Sequence, residues 1–501
     1  MPLRDLRDWI SLLEREGELV RVAAEVDPDL EITEIVDRTV KAGGPALLFE
    51  RPRGAGRPLL INQFGTERRM CLAFGVGELD DLGRRVEDVL EMQPPQGLVE
   101  KVRGLRKLKS IADSLPKTVS RGPCQEVVLT GDEVDLDLLP IQRCWPGDPA
   151  PFVTLPAVIT KDPRTGGRNV GMYRMQKLDR RSTYMHWQIH KDGRADFLAA
   201  DGRIEVAVAL GLDPVTAYAA SAPLPKHVDE LMLAGFLRGE SVELVRARTV
   251  DLEVPAHAEI VLEGTIEPGD LGDEGPFGDH TGYYTAAEPF PVFRLTAMTM
   301  RRDAIYPSIV VGKPPQEDAW LGKATERIFL PAVRMTVPEI VDYDLPVAGA
   351  FHNCCIVSIR KAFPGHARKV MHAIWGLGML SLTKCVVVVD EHVDVHDYEQ
   401  VLFYAGANVD PKRDVLLSEG PLDHLDHAPE RQFVGGKLGI DATAKWPEEG
   451  ARPWPEEIVM SPEIRELVDR RWAEYGIELP TAARDGRMRQ SSAPLQHSLR
   501  R

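Results

Sequence analysis

The sequence predicts an α+β chain of several domains, and three observations carry that expectation. At 501 residues the chain is longer than one ordinary hydrophobic core can serve. Its composition, 43% hydrophobic and 28% charged, is that of a globular rather than a disordered protein. The periodicity of its apolar residues changes character twice along the chain. The expected division is an N-terminal α+β unit over 1–115, a β-rich unit over 116–325, and an α/β unit over 326–460. A terminal helix with a polar tail follows over 461–501.

In the first unit, Leu6, Ile10, Leu13 and Val20 recur near helical spacing, so 4–19 reads as an amphipathic helix ended by Gly17. A second helix is expected over 29–42, closed by Gly43-Gly44-Pro45. Short strands follow at 46–49 and 58–61. The stretch 99–122, rich in Lys and Arg, reads as a solvated linking helix. From 124 to 310 the texture becomes short strands (126–129, 157–160, 204–210, 242–247 and 259–263) separated by turn residues such as Asp162-Pro163 and Gly166-Gly167. That is a barrel or sandwich pattern. Beyond 330, buried-type strands at 356–359 and 385–389 neighbour helical stretches at 365–379 and 396–405, the α/β pattern. A last amphipathic helix is expected at 462–476, and disorder after 484.

Bulk chemistry excludes several functions. With 61 basic against 77 acidic residues the formal net charge is −16. Phosphate backbones need a concentrated cationic surface, so nucleic acid is not an expected partner. The N-terminus is charged at once and reads as no signal peptide. No apolar stretch approaches the roughly 20 residues that span a bilayer. The expected location is the cytoplasm, with membrane contact at most peripheral. The six cysteines form no CxxC pair and read as reduced thiols, mostly buried. Gly75-Val76-Gly77 lacks the third glycine and the preceding strand of a dinucleotide fingerprint.

Four segments carry chemistry. In Asn169-Val170-Gly171-Met172-Tyr173-Arg174-Met175-Gln176, strand alternation places Met172, Arg174 and Gln176 on one face. An inward Arg174 would have to meet a carboxylate or phosphate; an edge strand with a surface arginine is the alternative. In His186-Trp187-Gln188-Ile189-His190-Lys191 the histidines have zinc-motif spacing, but Trp187 stands where HExxH has glutamate, so this is no zincin. A strand would put His186, Gln188 and His190 on one face, and a structural pair of histidines fits equally. In Asp273-Glu274-Gly275-Pro276-Phe277-Gly278-Asp279-His280-Thr281-Gly282-Tyr283-Tyr284, two carboxylates flank a tight turn. Near one arginine they could divide acid and base roles, one kept ionised and the other raised until it donates a proton. A solvated acidic hairpin and a glycosidase pair are the other readings, although aromatic residues, at 6%, are few for sugar stacking. Finally, Glu230 falls on an amphipathic helix, where alone it reads as solvated.

Together these segments resemble the UbiD family of prenylated-FMN decarboxylases, close to the branch that acts on 3-polyprenyl-4-hydroxybenzoate in ubiquinone biosynthesis. The resemblance includes Asp5-Leu6-Arg7-Asp8, Leu30-Glu31-Ile32-Thr33-Glu34-Ile35 and Ala42-Gly43-Gly44-Pro45-Ala46-Leu47-Leu48-Phe49-Glu50. It continues through Cys144-Trp145-Pro146 and the loop 274–284 to Gly439-Ile440-Asp441-Ala442-Thr443-Ala444-Lys445-Trp446. It thus covers nearly the whole chain to about residue 480.

The resemblance implies a split β-barrel flavin-binding domain at the centre and a site residue by residue. Asn169, His190 and Glu230 match metal positions, which hold manganese (often with potassium) at the flavin phosphate. Met172, Tyr173, Arg174, His186, Trp187 and Gln188 match flavin-contacting positions, and Lys384 matches a lysine reaching the cofactor from the α/β domain. Arg174, Glu274 and Asp279 match the catalytic network, with Asp279 as proton donor. Aspartate rather than glutamate at 279 is the choice of the quinone-type branch. The segment 186–192 departs from the ubiquinone enzymes, which carry Arg-Trp-Leu-Ser-His-Arg-Gly there. A menaquinone-pathway naphthoate or another phenolic, heteroaromatic or cinnamic acid therefore stays open as substrate. The resemblance also implies a separate flavin prenyltransferase as cofactor supplier, and a homo-oligomer. A flavin protein that does not decarboxylate, and a hydrolase active without flavin, are the alternatives from other classes.

Overall fold

A computed structural model describes residues 2–90, 112–188, 192–200, 202–226, 228–450 and 452–477. The chain forms two compact units, one up to Ala332 and one from Val333.

The first unit opens with the helix Leu6–Arg15, capped by the Asp5 carboxylate, which accepts from the N–H groups of Arg7 and Asp8. This helix is shorter than the periodicity predicts. Gly17 turns the chain at a φ of 71°, and Val20 belongs to the strand Leu19–Val26. Leu6, Trp9, Ile10 and Leu13 are buried against a small sheet. Its order is Leu19–Val26, Ala46–Pro52, Leu59–Ile61, Tyr306–Pro307, so a short strand from late in the β-rich region completes it. The expected helix near 29–42 is Glu31–Lys41. Of the linking helix expected over 99–122, residues up to 111 lie outside the described ones. Lys117–Thr118 is a strand paired with Glu243–Arg246 rather than helix.

The centre of the unit is a seven-stranded antiparallel sheet. Its path runs Ser182–Tyr184, Glu288–Met300, Ile260–Glu274, Ile204–Leu210, Ala157–Lys161, Arg168–Gly171, and Val127–Thr130 also pairs with Glu288–Met300. The run Ile204–Leu210 is apolar on both faces because both faces are covered. Val206, Val208 and Leu210 enter one core, and Ala207 and Ala209 the other. The two long strands, Ile260–Glu274 and Glu288–Met300, slip register between Glu263 and Gly264 and again between Ile266 and Leu271. Such irregularities bend and twist a strand. Here they carry its end, Glu274, to the site described below.

Two strand expectations fail locally. The segment 169–176 is not one strand. Arg168–Gly171 ends where the Met172 N–H leaves the sheet for the Ala220 carbonyl, and pairing resumes only at Met175–Gln176. The strand expected through 186–190 stops at Tyr184; His186 and Trp187 lie beyond it, tied by bonds to Arg174 O and Met185 O.

The second unit is α/β, as expected. Its five-stranded sheet is ordered Ile340–Asp344, Cys354–Ile359, Cys385–Asp390, Val434–Asp441, Val415–Pro421. The central three strands are parallel, and an antiparallel strand lies at each edge. The helices His366–Ile374 and Tyr398–Asn408 occupy the two predicted stretches. The last described helix, Pro462–Arg471, continues into a 3₁₀ turn at Trp472–Tyr475 and buries no residue within the chain. The tail after 484 lies outside the described residues. All six cysteines are free thiols; Cys124, Cys144 and Cys355 are buried, the other three half-buried. Among the described residues no helix is long and apolar enough to cross a membrane.

Candidate active site

Arg174 is the hub of a buried charge network, its side chain only 9% exposed. Its Nε donates to Glu274 Oε1 at 2.8 Å and its Nη2 to Glu274 Oε2 at 3.2 Å, a two-pronged pairing. Its Nη1 donates to Asp279 Oδ2 at 2.5 Å, and Nη2 also reaches Thr285 Oγ1 at 3.1 Å. The Phe277 ring lies 4.3 Å from the guanidinium carbon, a cation–π contact worth about 0.5–2 kcal/mol.

The turn that brings the two acids together depends on its glycines. Gly275 sits at a φ of 96°, open to glycine but strained for other residues. A Cβ on Gly278 would fall 2.2 Å from Trp145 Cδ1. Phe277–Gly278 pairs with Tyr284–Thr285, folding the segment into a hairpin whose tip carries Asp279. Neighbours lock it: Gln176 Oε1 accepts the Gly275 N–H at 2.7 Å, and Asp148 Oδ1 accepts the Gly278 N–H at 2.9 Å.

His186 is buried beside Glu274. Its Nδ1 lies 2.9 Å from Glu274 Oε2, and its ring packs against Phe290 at 4.2 Å between centroids. Burial first, and then the Arg174 charge, push the His186 pKa down despite the opposing pull of Glu274, so the ring is neutral at pH 7. Burial alone would raise Glu274. The His186 hydrogen bond and the Arg174 charge outweigh it and hold this carboxyl at about 2. Asp279 is also held well below the usual carboxylate range. Burial opposes this, and the bonds from His280 and the Arg174 charge prevail. The expectation that one acid would be raised to donate near neutrality is therefore wrong for this arrangement. One guanidinium serves both acids, and both are ionised.

Glu230 is not solvated. It begins the helix Glu230–Arg238, is 8% exposed, and accepts the Val170 N–H at 2.9 Å. Arg168 fixes this helix start by pairing with Asp229 at 2.8 Å while bonding Glu253 at 2.8 Å. Asn169, the next residue, donates to Thr160 Oγ1 at 3.1 Å, and the Tyr173 hydroxyl lies against its side chain. Burial pushes the Glu230 carboxyl up to about 7, because a single neighbouring amide and its own do not offset desolvation. A carboxylate under-compensated in this way, next to an amide side chain, suits a cation. His190, the third expected ligand, lies outside the described residues. Among the described residues no three His, Cys, Asp or Glu side chains converge as a metal site.

Of the other expected contacts, Met172 is half-buried and Trp187 buried, its Nε1 enclosed with no acceptor. Gln188 Nε2 lies 3.5 Å from His186 Nε2. Lys384, in the second unit, bonds both oxygens of Asp426 at 2.8 and 3.0 Å. Sequence reasoning passed over His280, Asp148, Thr285 and Phe290. His280 stood inside the most informative motif, and its place beside Asp279 was the available signal. Thr285 directly follows that motif and Phe290 lies a few residues beyond it, while Asp148 comes from a distant segment; none of the three carried a signal of its own.

Three family models match in chain order. They describe the N-terminal domain of 3-octaprenyl-4-hydroxybenzoate carboxy-lyase over residues 10–87, its Rift-related domain over 117–314 and its C-terminal domain over 319–442. The chain belongs to the UbiD family. Its members are decarboxylases that work with prenylated FMN, and this UbiD-family chain is a carboxy-lyase of that class. A protein of Archaeoglobus fulgidus is 54% identical over 480 residues, covering 95% of this chain and 99% of that one. Among solved structures, the UbiD-class enzyme HmfF from Pelotomaculum thermopropionicum, in complex with FMN, is 31% identical with a TM-score of 0.77, covering 93% of this chain and 99% of that one. The vanillic acid decarboxylase of Sedimentibacter hydroxybenzoicus is 26% identical with a TM-score of 0.84, covering 95% and 100%.

Proposed function

We propose that this UbiD-family protein removes CO₂, reversibly and without net oxidation, from an aromatic acid of the 4-hydroxybenzoate type in a quinone pathway, using prenylated FMN and a divalent metal. The observation that carries this reading is the single buried guanidinium of Arg174 shared between Glu274 and Asp279. Asn169, His190 and Glu230 would hold manganese, with potassium as a companion ion. Met172, Tyr173, Arg174, His186, Trp187 and Gln188 would line the flavin, with Lys384 contributing from the α/β domain. When bound, the flavin supplies the electron sink that a departing CO₂ requires.

The chain's own residues do the rest. Arg174 binds the substrate carboxylate. That carboxylate competes with Asp279 for the Arg174 Nη1, while Glu274 keeps its two-pronged grip and so keeps the guanidinium in place. Losing its share of the Arg174 charge lets Asp279 take up a proton, which its low pKa otherwise forbids. Asp279 then delivers that proton to the ring carbon that lost CO₂. Neutral His186 steadies Glu274 from the other side. The aspartate at 279 favours a hydroxybenzoate over an acrylate. We place the protein in the cytoplasm, as a homo-oligomer served by a flavin prenyltransferase.

The test is holo-protein made by co-expression with a flavin prenyltransferase and manganese. It is offered prenylated 4-hydroxybenzoates, dihydroxynaphthoates, simple phenolic acids and cinnamates, with decarboxylated products followed by mass. Turnover of the 4-hydroxybenzoates supports the reading. Turnover confined to another class moves the substrate there, and silence with no flavin bound removes the cofactor assignment.

A further inference from the structure

Asp279 must carry a proton once per turnover if the reading above holds, and the inference here rests on that reading. Few groups can load it. Its Oδ2 faces Arg174 Nη1, which gives up no proton in the working range of pH. Its Oδ1 receives the His280 backbone N–H at 2.7 Å and lies 2.9 Å from His280 Nδ1. The His280 ring is thus, besides Arg174, the titratable group that contacts Asp279 among the described residues. Because the facing carboxylate is ionised, Nδ1 carries the hydrogen.

A third residue stands close by. Asp318 is the second residue of the helix Glu317–Thr336, and its Oδ1 is enclosed and accepts no hydrogen bond. A buried acceptor left unpaired is costly and calls for a reason. Asp318 lies within electrostatic reach of both His280 and Asp279.

We propose that His280 reloads Asp279 with its proton and that Asp318, within electrostatic reach of both, acts on this transfer through its charge. When the Asp279 O–H bond breaks and the new C–H bond forms, His280 passes its Nδ1 hydrogen to Asp279 Oδ1 in step with capture of a proton from solvent at Nε2, so the ring never loses its last hydrogen. Exchange with solvent then moves the ring hydrogen from Nε2 back to Nδ1 before the next cycle. One proton from water is consumed for each CO₂ released, so the balance closes. Burial pushes the Asp318 carboxyl up to about 6, with His280 opposing the rise and Asp279 adding to it. Near neutrality such a group exchanges protons readily with solvent.

Two measurements test this. In the flavin-free protein, ¹⁵N NMR of the histidine rings should show His280 protonated at Nδ1; a ring protonated only at Nε2 overturns the proposal. In the holoenzyme, with a 3-prenylated 4-hydroxybenzoate as probe, His280→Ala should lower kcat about 10²-fold with KM nearly unchanged, and added imidazole should restore part of it. Asp318→Asn, which removes that charge, should lower kcat on the order of 10-fold, and Asp318→Glu should recover most of that. His280→Ala at wild-type kcat, or losses that neither imidazole nor Asp318→Glu relieves, overturn the relay. A silent wild-type holoenzyme counts against the substrate assignment instead, and the NMR result then decides the relay by itself.

Discussion

Glu274 and Glu230 are both buried in the same unit, yet their surroundings are opposite. Glu274 meets a guanidinium on two prongs and an imidazole on its second oxygen, and its carboxyl sits at about 2. Glu230 meets one neighbouring backbone amide, and burial lifts it to about 7. The first site is electrostatically complete in the protein alone. The second is short of positive charge. The difference is one of compensation: the first acid is paired among the protein's own side chains, and the second is the one the proposed reading leaves for a cation.

The largest way to sharpen this contrast is Asp279→Asn. It keeps the hairpin and removes the acid, and should lower kcat by about 10²–10⁴-fold, read as product formed by the holoenzyme. Next is Arg174→Ala, which leaves two buried carboxylates facing each other. Breaking a buried pair in this way should cost about 3–5 kcal/mol, seen as a lower thermal midpoint, besides abolishing turnover.

Third, the Glu274 carboxyl lies below its ordinary 4.5 in the fold. Its contribution is therefore present above pH 4.5 and is lost as pH falls toward 2, worth about 3 kcal/mol at most. The gap in thermal midpoint between wild type and Glu274→Gln should be widest at pH 6–7 and close steadily below pH 4.5. A gap independent of pH would break the view of Glu274 as a permanently ionised partner. The smallest effect is at the other site. Glu230→Gln should weaken manganese binding by at least the roughly 10–100-fold that loss of even an outer partner costs, measured by calorimetry. An unchanged affinity would dissolve the comparison.

Much of this was legible in the amino-acid order. The α/β texture beyond 330, the turn at Gly166-Gly167 and the buried run Ile204–Leu210 follow from periodicity and turn chemistry. The acid pair was legible because glycines and a proline punctuate the segment between Glu274 and Asp279. What periodicity missed were the breaks. The strand leaves the sheet at Met172 for the Ala220 carbonyl, and the one ending at Tyr184 gives way to bonds from His186 to the Arg174 carbonyl and from Trp187 to that of Met185; neither exchange leaves a mark in the periodicity. The same holds for burial of Glu230, whose partner Val170 is 60 residues distant. The expected division of pKa values failed for a related reason. Turn residues set two acids close together and the resemblance joined them to Arg174, but only the fold puts both on the same guanidinium.

The central claim is tested most directly by decarboxylation in D₂O with prenylated-flavin holoenzyme, wild type beside Asp279→Asn. The account expects the wild type to release CO₂ from a 4-hydroxybenzoate-type acid and to leave one deuterium on the carbon that bore the carboxylate. Asp279→Asn should form that product at least about 10²-fold more slowly. Wild-type rates from Asp279→Asn, with the modified flavin bound and the product fully deuterated, would contradict it.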